Sequence, residues 1–184
     1  MATRLESVIE QIDRLNAQDP RGYELPYSQW ITDWVKRLSP KPSEELLIAA
    51  RGQHVQRWTV PRDRYPRDRT GYLAWRETLK KFHAETVAGL MRTAGYPEKS
   101  VQKVERIILK KNIREPESQI IEDALCLVFL ERQFADLARK EPEEKMIEIL
   151  RKSWRKMGKA GRAEALKLPL CDSEKSLLKK ACSA

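Results

Sequence analysis

A single-domain, all-α helical bundle is the fold class the sequence predicts, and three observations predict it. Apolar residues recur at spacings of three and four along most of the chain, as one buried helix face requires. Ten prolines fall between these stretches, where each can end one helix or open the next. No run of β-branched residues alternates with polar ones between turn signals, so strands are not expected. The 184 residues suffice for one well-buried core and are short for two. We expect one helical domain over residues 1–170 and a polar C-terminal tail over 171–184.

The elements follow in order. Leu5, Val8, Ile9, Ile12 and Leu15 form the stripe of a first helix, and Trp30, Ile31, Trp34, Val35 and Leu38 that of a second. Ser43 is an N-cap followed by the acidic first-turn residues Glu44 and Glu45, opening a third helix expected to run through Trp58. Thr59–Arg69, with two prolines and dense charge, is the one long connection. Thr70 to about Ala94 is the longest helix and ends at Gly95, a left-handed terminator. Pro97 opens a helix through Lys111, Pro116–Ala138 is the most apolar element, and Pro142–Met157 is the last long helix.

Charge is concentrated as well as abundant. The chain carries a formal net charge of +9, and residues 51–81 hold nine basic residues against three acidic ones. Trp58, Tyr65, Tyr72 and Trp75 are interleaved with those charges. Guanidinium groups pair bidentately with phosphate oxygens and rings stack on bases, so the segment suits a phosphate, a nucleotide or RNA. No apolar run approaches the roughly 20 residues of a membrane span. The N-terminal stretch lacks the apolar core of a signal peptide, and a cytoplasmic protein with no membrane contact is expected. Three cysteines, Cys126, Cys171 and Cys182, have no spacing that implies a disulfide framework or a zinc knuckle.

The chain has two histidines. If the third helix reaches Trp58, then Leu47, Ala50, Arg51, His54 and Trp58 share one face, and Leu79, His83, Val87 and Leu90 share another. Both imidazoles would then face inward. Asp123 shares a face with Leu127, Leu130 and Phe134, and a buried carboxylate demands a histidine, an arginine or a metal ion as partner. His54, His83 and Asp123 are therefore candidate ligands of a divalent metal and, with Glu122, candidate catalytic residues. Arg51, Gln53, Arg57, Trp58, Arg69, Tyr72, Arg76, Lys80 and Lys111 would form the ligand-binding wall, with the Thr59–Arg69 connection as its lid.

Two resemblances rest on these residues. The run HAETVAGLMRTAGYPEKSVQKVERIILKKN from His83, followed by QIIEDALCLVFLE, resembles the second half of an HD-domain metal-dependent phosphohydrolase, with His83, Gly95 and Asp123–Ala124 at matching positions. Val55 stands where that superfamily has the aspartate of its His-Asp pair, and Lys110, Lys111 and Asn112 stand where it has a further histidine. Closer still, AARGQHVQRW, LKKFHAET and LVFLE resemble the family called domain of unknown function 4202, over nearly the whole chain. That name implies no activity. Lys156-Met157-Gly158-Lys159 is similar to the KMSKS loop of class I aminoacyl-tRNA synthetases, but the accompanying HIGH motif and parallel sheet are not visible, and a basic helix end explains it.

The function expected is binding of a phosphorylated small molecule or nucleotide in a basic, histidine-containing pocket. The HD resemblance adds the expectation of metal-assisted phosphohydrolase activity, with Glu122 or His54 as base. The alternatives are an RNA- or tRNA-binding helical module and a non-catalytic interaction protein whose histidines fill the core.

Overall fold

A computed structural model of the chain describes residues 2–111 and 115–182; Asn112 lies outside them. All regular structure among these residues is helical: α1 (Arg4–Asn16), α2 (Glu24–Leu38), α3 (Glu44–Arg51), α4 (Arg69–Thr93), α5 (Glu98–Ile108), α6 (Pro116–Arg132), α7 (Phe134–Ala138), α8 (Glu143–Lys156), α9 (Lys159–Ala165) and α10 (Asp172–Cys182). Side chains cap three of the helix N-termini, the expected Ser43 among them. Thr3 and Glu6 close a capping box on α1, Ser43 Oγ accepts from Leu46 N–H, and Asp68 Oδ1 accepts from Gly71 N–H at 2.7 Å. Gly95 ends α4 at φ 77°.

The central helix is α6, against which α2, α8 and α9 pack; α4 and α5 pair on the other side, with α3 between α2 and α5. Ile31, Val35, Leu127 and Phe134 are fully buried in one part of the core, and Ile48, Val87, Met91 and Val104 in the other. No helix among the described residues is long and apolar enough to cross a membrane.

The helix expected over Pro116–Ala138 is broken at Gln133 into α6 and α7, and two further elements differ from the sequence expectation. The third helix stops at Arg51, seven residues short of Trp58, and the chain turns through Gly52 and the left-handed Gln56 (φ 50°) into a 3₁₀ turn, Arg57–Thr59. Its cause is tertiary: Gly52 packs so closely on α4 that a Cβ there would lie 2.4 Å from Val87 Cγ2, and Asn16 Oδ1 accepts from Gln56 N–H at 3.1 Å. The segment expected as a polar tail contains α10, whose Leu178 and Ala181 are buried against α8. Its charged residues mask a narrow apolar stripe.

The Gly52 contact fixes where the following turn sits. Gly52→Ala is expected to cost about 1–3 kcal/mol, because the buried, β-branched Val87 has no room to yield; urea denaturation of the two proteins measures it.

Candidate functional site

The turn after α3 carries His54 and Arg57 into the wall of a cleft of about 540 Å³ between α2, α4, α6 and the end of α5. That volume falls in the roughly 300–1,000 Å³ range of small-molecule sites. Six cationic side chains line it, Arg21, Arg57, Arg76, Lys80, Lys110 and Lys156, against the two carboxylates Glu24 and Glu122. Leu79, Ile108, Leu125 and Phe129 supply apolar wall.

His83, on α4, is 3% exposed, and its Nδ1 lies 2.8 Å from the Val55 carbonyl oxygen. A carbonyl only accepts, so Nδ1 carries the proton and Nε2 is left with a lone pair and no partner. Burial, then the neighbouring His54, then Arg57 and Arg76 push the His83 pKa down to about 3. His54 stacks on Tyr27, ring centroids 4.3 Å apart and planes 10° from parallel, and lies 6.1 Å from His83 by centroids. Its pKa is driven well below 6.5 by burial and by Arg57, Arg76 and Lys110. Both imidazoles are neutral at pH 7.

Glu24, in the first turn of α2, faces His54 with Oε2 3.4 Å from Nδ1. Asp19 places that turn by accepting from the backbone N–H groups of Tyr23 and Glu24. Burial raises the Glu24 pKa to about 7, with Arg57 acting in the opposite direction. Arg57 lies 4.6 Å over the Trp75 ring, and Trp75 Nε1 donates to the Val60 carbonyl at 2.8 Å. Lys110 sits at φ 57°, where its N–H and that of Lys111 donate to the carbonyls of Ile107 and Arg106, closing α5 as a Schellman turn with lysine in the place glycine usually takes. Its ammonium pairs with Glu122.

The structure therefore brings together His54, His83, Gln53, Arg57, Arg76, Lys80 and Glu122 from the sequence expectation. It does not bring Asp123 to them. Asp123 Oδ1 accepts from Gly158 N–H at 2.7 Å and from Gln119 Nε2 at 2.8 Å, and Oδ2 accepts from Gly161 N–H at 3.2 Å. This carboxylate caps α9 from a neighbouring helix, so its oxygens are met by backbone amides and the Gln119 side chain rather than by a metal, a histidine or an arginine. Gly161 is required for the approach, since a Cβ there would lie 2.5 Å from Asp123 Cγ. Among the described residues no group of three His, Cys, Asp or Glu side chains is placed to hold a metal ion. The residues do not fit the expected His54–His83–Asp123 metal set.

Other expected wall residues lie elsewhere. Arg51 turns to Asp13, with Nε 3.3 Å from Oδ1, because the early end of α3 separates it from His54. Arg69 and Lys111 are exposed, and Trp58 and Tyr72 do not line the cleft. Nor does any residue of Thr59–Arg69, so that connection is no lid; Arg62 pins it by donating to the carbonyls of Tyr65 and Pro66. Sequence reasoning missed Arg21, Tyr23, Glu24 and Tyr27. Glu24 did carry a signal: by helical spacing it shares a face with Tyr27, Ile31 and Val35, the same inward-carboxylate argument made for Asp123.

Two predictions follow the geometry. Asp123→Ala should destabilise the fold by about 1–3 kcal/mol through the lost amide partners, measured by denaturation. The second concerns pH. His83 binds its proton in the unfolded chain near pH 6.5 but in the folded one only near pH 3, so its contribution to stability is present above 6.5 and lost as pH falls. Compared with His83→Gln, the wild type should lose roughly 3 kcal/mol between pH 7 and pH 4 in chemical denaturation. Glu24 acts oppositely, lowering stability as pH rises from 4.5 towards 7, and cancels in that comparison.

No curated protein and no solved structure is significantly similar to the chain. A family model, domain of unknown function (DUF4202), matches residues 6–178, a span that takes in every residue lining the cleft. The chain thus belongs to the DUF4202 family.

Proposed function

We propose that the protein binds a phosphorylated small molecule, with a nucleotide as the leading class, in the cleft between α2, α4 and α6. One observation carries the reading: six cationic side chains line a concave site that has only two carboxylates, and with Lys110 paired to Glu122 and Lys80 to Glu77, Arg21, Arg57, Arg76 and Lys156 still face the cleft. Cations gathered in a partly desolvated cleft repel one another, and a polyanion relieves that repulsion. The arginines add planar donors suited to phosphoryl oxygens, and the rings of Tyr23 and Phe129 also line the cleft.

An HD-like scaffold is supported only by order along the chain: His83 in α4, Gly95 at its end and Asp123–Ala124 in α6. The side chains of His83 and Asp123 serve separate places, so the reading includes no metal held between them. A second reading, RNA binding, rests on Arg64, Arg67 and Arg69, which are exposed beside the exposed Tyr72 and Leu73 and lie outside the cleft. The cleft is preferred because it is concave and its charges face one another. A cytoplasmic setting is part of the same proposal, since phosphorylated metabolites are abundant there.

Calorimetric titration with pyrophosphate and with a nucleoside triphosphate separates the readings. We expect saturable binding that weakens at least tenfold in the Arg76→Ala/Lys156→Ala variant, about 1.4 kcal/mol or more. Reversing Arg64, Arg67 and Arg69 to Glu should leave it unchanged. Loss with the surface variant alone, together with salt-sensitive RNA binding, would establish the RNA reading instead. Phosphate release in the same samples reports whether hydrolysis follows binding.

A further inference from the structure

The contact between Glu24 and His54 requires a proton between its two atoms. Glu24 is 7% exposed, its Oε2 and His54 Nδ1 are both buried and lack any hydrogen-bond partner, and they lie 3.4 Å apart. A carboxylate oxygen and an unprotonated ring nitrogen are both acceptors. Left without a proton between them, they would leave two unsatisfied acceptors in a buried place, each costing about 1–3 kcal/mol. One shared proton satisfies both. The His54 side chain is 22% exposed and lines the cleft.

We propose that Glu24 and His54 act as one proton-sharing unit, in which the protonated carboxyl donates to Nδ1 and so holds His54 Nε2–H towards the cleft as a donor to a phosphoryl oxygen. The inference rests on the phosphate-binding reading of the same cleft and adds a positioning residue to it. Proton bookkeeping is simple. With Glu24 protonated and His54 neutral, the one ring proton must sit on Nε2. Once Glu24 ionises, the ring proton moves to Nδ1 to meet the carboxylate, and Nε2 presents a lone pair that opposes an anion.

The surroundings favour the first arrangement at or below neutral pH. Glu24 is faced by Arg57 from the turn after α3 and by Asp19 and Arg21 from the chain before α2; burial, aided by Asp19, outweighs the two arginines and raises its pKa to about 7. His54 is faced by Arg57, Arg76 of α4 and Lys110 after α5, all of which oppose an imidazolium. Tyr27 of α2 stacks on the ring, and His83 of α4 contributes a neutral neighbour. Glu122 of α6, the other carboxylate of the cleft, is paired with Lys110. A neutral donor aimed at the ligand thus coexists with three cations without adding to their repulsion.

Two measurements test the unit. Nitrogen-15 NMR of the ligand-free protein should show His54 protonated on Nε2 at pH 6 and moving to Nδ1 at pH 8.5, whereas Glu24→Gln, whose carboxamide donates at every pH, should keep the Nε2–H form. Titration with pyrophosphate at the same two pH values should give wild-type and Glu24→Gln affinities within twofold at pH 6. At pH 8.5 the variant should bind at least fivefold more tightly; ionisation of the pyrophosphate cancels in the ratio. A His54 protonated on Nδ1 at pH 6 would overturn the inference whether or not the anion binds. An affinity ratio that does not change with pH overturns the donor role. Absence of pyrophosphate binding by the wild type at both pH values overturns the phosphate-binding reading itself, and the donor role with it.

Discussion

The hydrogen bond from His83 Nδ1 to the Val55 carbonyl holds the site together. It links the middle of α4 to the turn that leaves α3, across 28 residues of sequence, and both ends are buried. A buried carbonyl without a partner is costly, and so is a buried imidazole, so each secures the other. The bond also dictates the His83 tautomer. Because Val55 is anchored, its neighbours His54 and Arg57 project from a fixed turn instead of a mobile loop. Gly52 permits this by letting the backbone touch Val87, and Asn16 receives the Gln56 N–H on the far side. Fixed groups of this kind cost little ordering when a ligand binds.

Around that anchor the protein gathers charge at a cost. Arg57 loses hydration in the cleft and is compensated by the face of Trp75; Lys110 accepts a left-handed backbone conformation and pairs with Glu122. The aromatic residues interleaved with the arginines of residues 51–81 are thereby explained differently from the stacking platforms their composition suggests. Trp75 braces an arginine and closes a backbone turn, and Tyr72 accepts from Arg76 Nη1 at 3.3 Å. The charge that faces the cleft comes as much from outside this segment, through Arg21, Lys110 and Lys156, as from within it.

Legibility was uneven along the chain. The helices at α1, α2, α4, α5, α6 and α8 were readable because a stripe at spacings of three and four, an opening proline, or a terminating glycine announces each locally. His83 was placed correctly because α4 is long and its period unbroken. His54 was read as lining the interior from a helix that in fact ends before it. The apolar period of Leu47, Ala50 and His54 continues past Arg51, but contact with Val87 breaks the helix, and no local rule contains Val87. Asp123 was recognised as buried and in need of a partner, yet besides the neighbouring Gln119 side chain its partners are the backbone amides of Gly158 and Gly161, which carry no side-chain signature.

The sequence by itself determined the helical class, the single core, the basic excess and the inward position of His83 and Asp123, since each follows from local spacing, capping and composition. Only the tertiary structure decided which charges meet. Glu24 and His54, 30 residues apart, come within 3.4 Å, while the adjacent residues Glu122 and Asp123 part to a lysine and to a helix N-terminus. The physical reason is that successive residues on a helix point about 100° apart, so neighbours in sequence are delivered to different surroundings. What those surroundings contain is set by packing between distant segments.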